Sequence, residues 1–291
     1  MPSKPKYILE GCQRLSSILV KLCVGTTFGL TAVFTLSVAQ AAIPLKIVDK
    51  LPYIPVQIDG KTFLMLLDLG ADDTVAMAPK TLSAVHLESV AGANRHTNTK
   101  GEVIVETRLR IPELRIGMVT FTQVEASEQR FAPDYHPPDV SRGHIGLGLL
   151  KDYKIALDYR HGKMWLIDSR SPADEQSHCR GVAVARLPRA RAIMLTHVQT
   201  DRGELTMVWD TGSQSNVLRD PNGKPAASDG AEPPRVQLRR FALGGINFGP
   251  VKLYAVNFQD PAEADAAVGY EFFAKHSVCF DVTGQQLLVS Q

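Results

Sequence analysis

With 291 residues and 44% hydrophobic content, the chain is long enough for two domains of ordinary size, each with its own core, and too apolar to remain disordered. Lysine and arginine number 32 against 30 acidic residues, a formal charge of +2. That near balance, with no basic stripe interleaved with aromatics, argues against nucleic acid as a partner.

Residues 1–41 read as an address. Lys4, Lys6, Arg14 and Lys21 precede an uncharged apolar run, Val24 to Val38, which ends at Ala39-Gln40-Ala41. A basic start, an apolar stretch and a small-residue cleavage site make a secretory signal, and the expected location is the periplasm or outside the cell. If the segment is not cleaved it becomes an inner-membrane anchor, although the apolar run is short for a bilayer span. What remains carries 28 basic and 29 acidic residues and is nearly neutral. It keeps two cysteines, Cys179 and Cys279, an even pair for which a disulfide and free thiols are both open. His178 and His276 lie near them, but no pair has finger-like metal spacing; no metal and no cofactor are expected.

The next elements repeat. Val56-Gln57-Ile58-Asp59, a turn at Gly60-Lys61 and an apolar run lead into LLDLGADDTVAM, Leu66 to Met77. This predicts a β-hairpin that delivers Asp68 to a corner. A short helix is predicted after Pro79, then a projecting hairpin in HTNTKGEVIVE with its turn at Lys100-Gly101. A further hairpin runs through Leu114-x-Ile116-Gly117-x-Val119-x-Phe121, and IGLGLLKDYKIALDY (Ile145 to Tyr159) closes the block with a second short helix candidate, Leu147 to Tyr153. The stretch 168–181 is polar and aperiodic, as a linker should be.

Beyond it the same order returns. MVWDTGSQSNVL places Asp210 over Asp68, at an offset of 210 − 68 = 142, and Val198-Gln199-Thr200-Asp201 matches Val56 to Asp59 at the same offset. The middle hairpin recurs at 241 − 114 = 127 and the closing block at 268 − 145 = 123, which aligns Asp158 with Asp281. The shrinking offset locates a deletion where the first half has its projecting hairpin and the second has the turn-rich DPNGKPAASDGAEPP. The organisation expected is residues 1–41 signal or anchor, 42–167 first lobe, 168–181 linker and 182–291 second lobe, in an all-β class.

These residues resemble the aspartic proteases. LLDLGADDTVAM looks like the active-site segment of retroviral-type members, with Leu69 the departure from Asp-Thr-Gly-Ala-Asp-Asp-Thr-Val, and DTGS at Asp210 to Ser213 looks like the pepsin-type version. His144-Ile145-Gly146 and Ala267-Val268-Gly269 match the family's apolar-apolar-Gly landmark, with His144 in an apolar place. The resemblance covers nearly all of residues 52–291. It implies two retropepsin-type, β-barrel-like lobes in a pseudo-twofold, pepsin-like arrangement, working as a monomer with an intrachain pseudo-dimer. It also implies an aspartic endopeptidase acting on peptide or protein substrates, with Asp68 and Asp210 as catalytic carboxylates. Gly70, Ala71, Thr211, Gly212 and Ser213 would support the active-site loops, and Asp72 and Asp73 would contact substrate. The rival reading is a catalytically inactive peptide-binding or scaffold protein of the cell envelope that kept the fold.

The chemistry of two apposed carboxylates fits. Like charges ~3 Å apart cannot both ionise, so the pair holds one proton: one member takes a proton from water while the other donates to the carbonyl oxygen. Three further expectations follow. The resemblance implies that Thr211 grips the opposite loop through its hydroxyl, which Leu69 cannot do in return, so Leu69→Thr should tighten the junction. Ser213 should donate to its own carboxylate where Ala71 cannot, which would move the working pH from strongly to mildly acidic. Asp158 and Asp281 are expected to be structural turn residues.

Overall fold

Apolar and polar residues alternating at period two make half-buried strands, and that pattern forms a fold that is almost wholly β. The computed structural model describes residues 41–97, 103–128, 142–170, 178–188, 193–223, 232–258 and 264–291. The signal reading of 1–41, apart from Ala41, lies outside the described residues. So do the projecting turn at Lys100-Gly101 and half of the expected linker, 171–177. Among the described residues no helix is long and apolar enough to cross a membrane.

In the first half, β1 (Ile43–Pro44), β2 (Lys46–Val48), β3 (Leu51–Ile58), β4 (Lys61–Asp68) and β5 (Val75–Met77) lead to a one-turn helix α1 (Pro79–Leu82). The strands β6 (Glu88–Thr97), β7 (Val103–Ile116), β8 (Val119–Glu128) and β9 (Gly143–Gly146) then lead into α2 (Leu147–Leu150). Strands β2 to β9 form one eight-stranded sheet in the order β2-β3-β4-β9-β5-β8-β7-β6, and an extra β3–β7 pairing curls it into a barrel. Next come β10 (Tyr153–Asp158), β11 (Lys163–Asp168) and β12 (Val182–Ala185).

The second half runs β13 (Leu195–Thr200), β14 (Gly203–Trp209), β15 (Val217–Arg219), β16 (Arg235–Leu238), β17 (Phe241–Leu243), β18 (Ile246–Asn247), β19 (Val251–Val256) and β20 (Ala266–Val268). It ends with α3 (Tyr270–Phe273), β21 (Val278–Asp281) and β22 (Gln286–Val289). Strands β13 to β20 form a second eight-stranded sheet. The helix α3 stands at the place of α2 and was not among the helices predicted; its aromatic sequence Tyr-Glu-Phe-Phe hides the correspondence.

Register shows that the halves are copies. In the first lobe Gln57 pairs with Arg115 and Ile58 with Leu114; in the second, Gln199 pairs with Ala242 and Thr200 with Phe241, the same residues at offsets of 142 and 127. Leu66 pairs in parallel with His144 and Leu67 with Ile145, as Val208 does with Ala267 and Trp209 with Val268. The long β7 corresponds to β16 and β17 together, broken at Arg239-Arg240. The projecting strand β6 has no counterpart among the described residues of the second lobe.

The lobes meet in a six-stranded sheet ordered β1-β11-β10-β21-β22-β12, whose sequence of strands is symmetric about its centre. There Ile155 pairs with Phe280, Ala156 with Cys279 and Leu157 with Val278. The offset of 123 carries Ala156 onto Cys279 and exchanges the flanking pairs, so the pseudo-twofold axis passes through the Ala156–Cys279 pair. Cys279 also forms a disulfide with Cys179, just before β12, which decides the question the sequence left open and occupies both sulfurs. One apolar cluster runs through both lobes, from Leu67 and Leu69 to Trp209, Phe272 and Phe280.

Candidate active site

Each hairpin ends by presenting its aspartate at the same height. Asp68 closes β4 beside Gly146 of β9, and Asp210 follows β14, its N–H bonded to the Val268 carbonyl at 2.9 Å. The two carboxyl groups share a side-chain hydrogen bond. Their loops are built alike: the Gly70 N–H donates to Asp68 Oδ1 at 3.1 Å, and the Gly212 N–H donates to Asp210 Oδ1 at 2.8 Å. Glycine is required at both places by close approach. A Cβ on Gly212 would lie 2.6 Å from Asp68 Cγ, and one on Gly70 would collide with the Asp210 carboxylate.

The crossing blocks hold these loops from below. Leu147 N–H donates to the Ala71 carbonyl at 2.9 Å in one lobe, and Tyr270 N–H donates to the Ser213 carbonyl at 3.0 Å in the other. In the second lobe Asn216 adds its own brace: its Oδ1 accepts from Gly269 N–H at 2.9 Å and its Nδ2 donates to the Lys252 carbonyl at 3.0 Å.

Thr211 grips across the lobes from one side. Its buried hydroxyl accepts from Leu69 N–H at 2.8 Å and donates to the Leu67 carbonyl at 2.6 Å. Leu69 has no hydroxyl to give in return, but its side chain is fully buried in the apolar cluster. This reverses the expectation for Leu69→Thr. The substitution removes part of a buried leucine's ~1.5–3 kcal/mol and restores one hydrogen bond of about 1 kcal/mol. Urea unfolding should therefore show a loss of about 1 kcal/mol; a clear gain would mean that the core yields around the smaller side chain.

Ser213 also departs from the expectation. Its hydroxyl donates to the Ser215 carbonyl at 2.7 Å, not to Asp210. The carbonyl lies in the same tight turn, two residues on. Ser213 therefore gives its carboxylate no more of a hydroxyl donor than Ala71 does, and the expected shift towards mildly acidic pH loses its cause.

The contrast between the lobes lies elsewhere. His144 Nε2 lies 2.7 Å from Asp73 Oδ2, an ion pair at the cleft wall with the imidazole only 15% exposed. Burial by itself pushes the imidazole pKa down. The charge and hydrogen bond of Asp73, with the charges of Asp68 and Glu106, overcome it and raise the value to about 9. For Asp68, burial is the largest influence and pushes its pKa up; the His144 charge opposes it, Asp73 reinforces it, and the hydrogen bonds from Asp210 and Gly70 oppose it. Tyr159 lies near both carboxylates and packs on Phe273 at 5.4 Å between ring centroids; burial and both aspartate charges hold its phenol neutral, far above its ordinary pKa.

Of the residues expected at the site, Asp68, Gly70, Thr211, Gly212 and Asp210 meet at the lobe junction, and Ala71 and Ser213 serve through their backbone carbonyls. Asp72 is exposed on the loop, whereas Asp73 turns to His144. Sequence reasoning passed over His144, Glu106 and Tyr159. Only His144 carried a visible signal, as a basic residue in an apolar place.

A family model described as aspartyl protease matches residues 54–149, which hold Asp68, its loop and the crossing strand β9. Over that stretch the chain is similar to the aspartyl proteases. In fold it is similar to the aspartic proteinase from Irpex lacteus, with a TM-score of 0.57 and 12% identity over 87% of this chain and 97% of that one. No curated protein sequence matches it.

Proposed function

We propose that this aspartic protease relative is an active endopeptidase, in which Asp68 and Asp210 activate a water and protonate the scissile carbonyl of a peptide held between the lobes. The observation that carries this reading is the apposition of the two loops, in which a Cβ on Gly70 would strike the Asp210 carboxyl and one on Gly212 the Asp68 carboxyl; two acids so placed hold one proton between them. The hairpin of β6 and β7 is the flap of the first lobe, and the exposed Asp72 is a contact for the substrate backbone. The Cys179–Cys279 disulfide supports an oxidising compartment and thus export. The working form proposed is a monomer, since one chain supplies both carboxylates.

The test is digestion of a mixed peptide library by residues 42–291 across pH 3–8, with Asp68→Asn and Asp210→Asn alongside. Cleavage by the wild type, reduced at least ~1,000-fold in each variant, is expected, because neither half of the dyad works alone. Peptide binding that survives in all three proteins without cleavage in any would establish the scaffold reading instead.

A further inference from the structure

The two catalytic corners are copies, yet one carries an ion pair that the other lacks. At the offset of 142 Asp73 corresponds to Ser215, and at 123 His144 corresponds to Ala267. The second lobe therefore has a serine and an alanine where the first has a carboxylate and an imidazole. The backbone contacts of the two corners are matched: a glycine N–H donates to one oxygen of each carboxylate, and a bond from the crossing block braces each loop. Backbone alone would give the shared proton no preferred side.

Register places the imidazole on the Asp68 side of the dyad. On the parallel pair β4–β9, His144 lies beside Leu66 and Gly146 beside Asp68. Side chains two residues apart share a face, so His144 stands on the same face as the Asp68 carboxylate, about 7 Å back along the strand. Its 2.7 Å bond to Asp73 fixes it there. The charged groups that face it are Asp68 from β4, Asp73 from the loop after β4 and the buried Glu106 from β7. All three are acids, so the imidazole is held as a cation through the acidic and neutral range.

We propose that His144, locked by Asp73, keeps the single proton of the dyad on Asp210 and leaves Asp68 as the base that takes a proton from the attacking water. His144 is a positioning residue: it acts through Asp68 and meets no reacting atom. The proposal rests on the endopeptidase reading for its catalytic meaning, though the location of the proton does not depend on turnover.

The test is a 13C NMR titration of the aspartate carboxyl carbons in residues 42–291, assigned with Asp68→Asn and Asp210→Asn, together with a pH–rate profile. In the wild type the first ionisation of the dyad should report at Asp68. In His144→Gln its midpoint should rise by about one pH unit, and the acidic limb of the rate profile should rise with it. The double variant His144→Ala/Asp73→Ser copies the second lobe and leaves no member of the ion pair stranded, which guards against loss of folding. It removes the larger opposing influence and the smaller reinforcing one, so its shift should be upward but smaller. A purely structural His144 would lower the melting temperature of both variants and leave the Asp68 midpoint unmoved; that result, or a first ionisation at Asp210 in the wild type, overturns the proposal. If the midpoints move as expected while no protein cleaves peptide, the proton assignment stands and the endopeptidase reading falls. Cleavage with an unmoved limb and midpoint leaves the endopeptidase reading standing and overturns the proton assignment.

Discussion

Thr211→Val should cost about 2–4 kcal/mol of stability and lower any cleavage rate with it. One hydroxyl serves two backbone groups of the opposite lobe, the Leu69 N–H and the Leu67 carbonyl, on either side of Asp68. Valine keeps the shape and removes both partners, leaving a donor and an acceptor buried without a bond at ~1–3 kcal/mol each, part of which water recovers. Leu69 has no hydroxyl with which to return the grip, so among the described residues this contact between the two loops rests on Thr211. Thr211→Ser keeps the hydroxyl and should lose less than about 1 kcal/mol, the value of a methyl group. Equal losses for valine and serine in denaturant melts would show that packing, not the grip, holds the junction.

How much of this was legible depended on whether a feature repeats. The two lobes and the equivalence of Asp68 with Asp210 followed from the offsets, because duplication leaves the same pattern twice and each copy checks the other; that the two aspartates face each other was implied by the resemblance. The central sheet was less legible. Nothing in Tyr153 to Asp158 or Val278 to Asp281 says that these strands pair with each other; only the symmetric register around Ala156 and Cys279 does. Side-chain choices within the loops were the least legible. Ser213 bonds the Ser215 carbonyl, and sequence cannot rank a carbonyl two residues on against its own lobe's carboxylate. His144 was visible as a misfit in an apolar landmark, but its meaning needed Asp73, 71 residues away in sequence and 2.7 Å away in space. Departures from the repeat are where the two lobes stopped doing the same work.

The same principle makes the junction's buried charge the second large test. Lys154 of β10 lies opposite Asp281 of β21 and pairs with it at 3.4 Å, with side-chain exposures of 8% and 2%. Asp281 also accepts from Gly284 N–H at 2.6 Å, as Asp158 accepts from His161 N–H at 3.1 Å, so both aspartates do close their turns as expected. The symmetric partner of Lys154 is Ser277, and the symmetric aspartate, Asp158, is only part-buried and bonded to the exposed His161. Of these two symmetric places, one holds a buried ion pair and the other does not. Lys154→Met should cost about 3–5 kcal/mol, since it strands a carboxylate at the lobe junction. Lys154→Met/Asp281→Asn should recover most of that, because asparagine keeps the acceptor for Gly284 N–H and carries no charge to desolvate. A double-mutant cycle in urea reads the difference directly. If the double variant is as unstable as Lys154→Met, the cost comes from lost packing of the lysine stem, and the pair's electrostatics do not hold the lobes together.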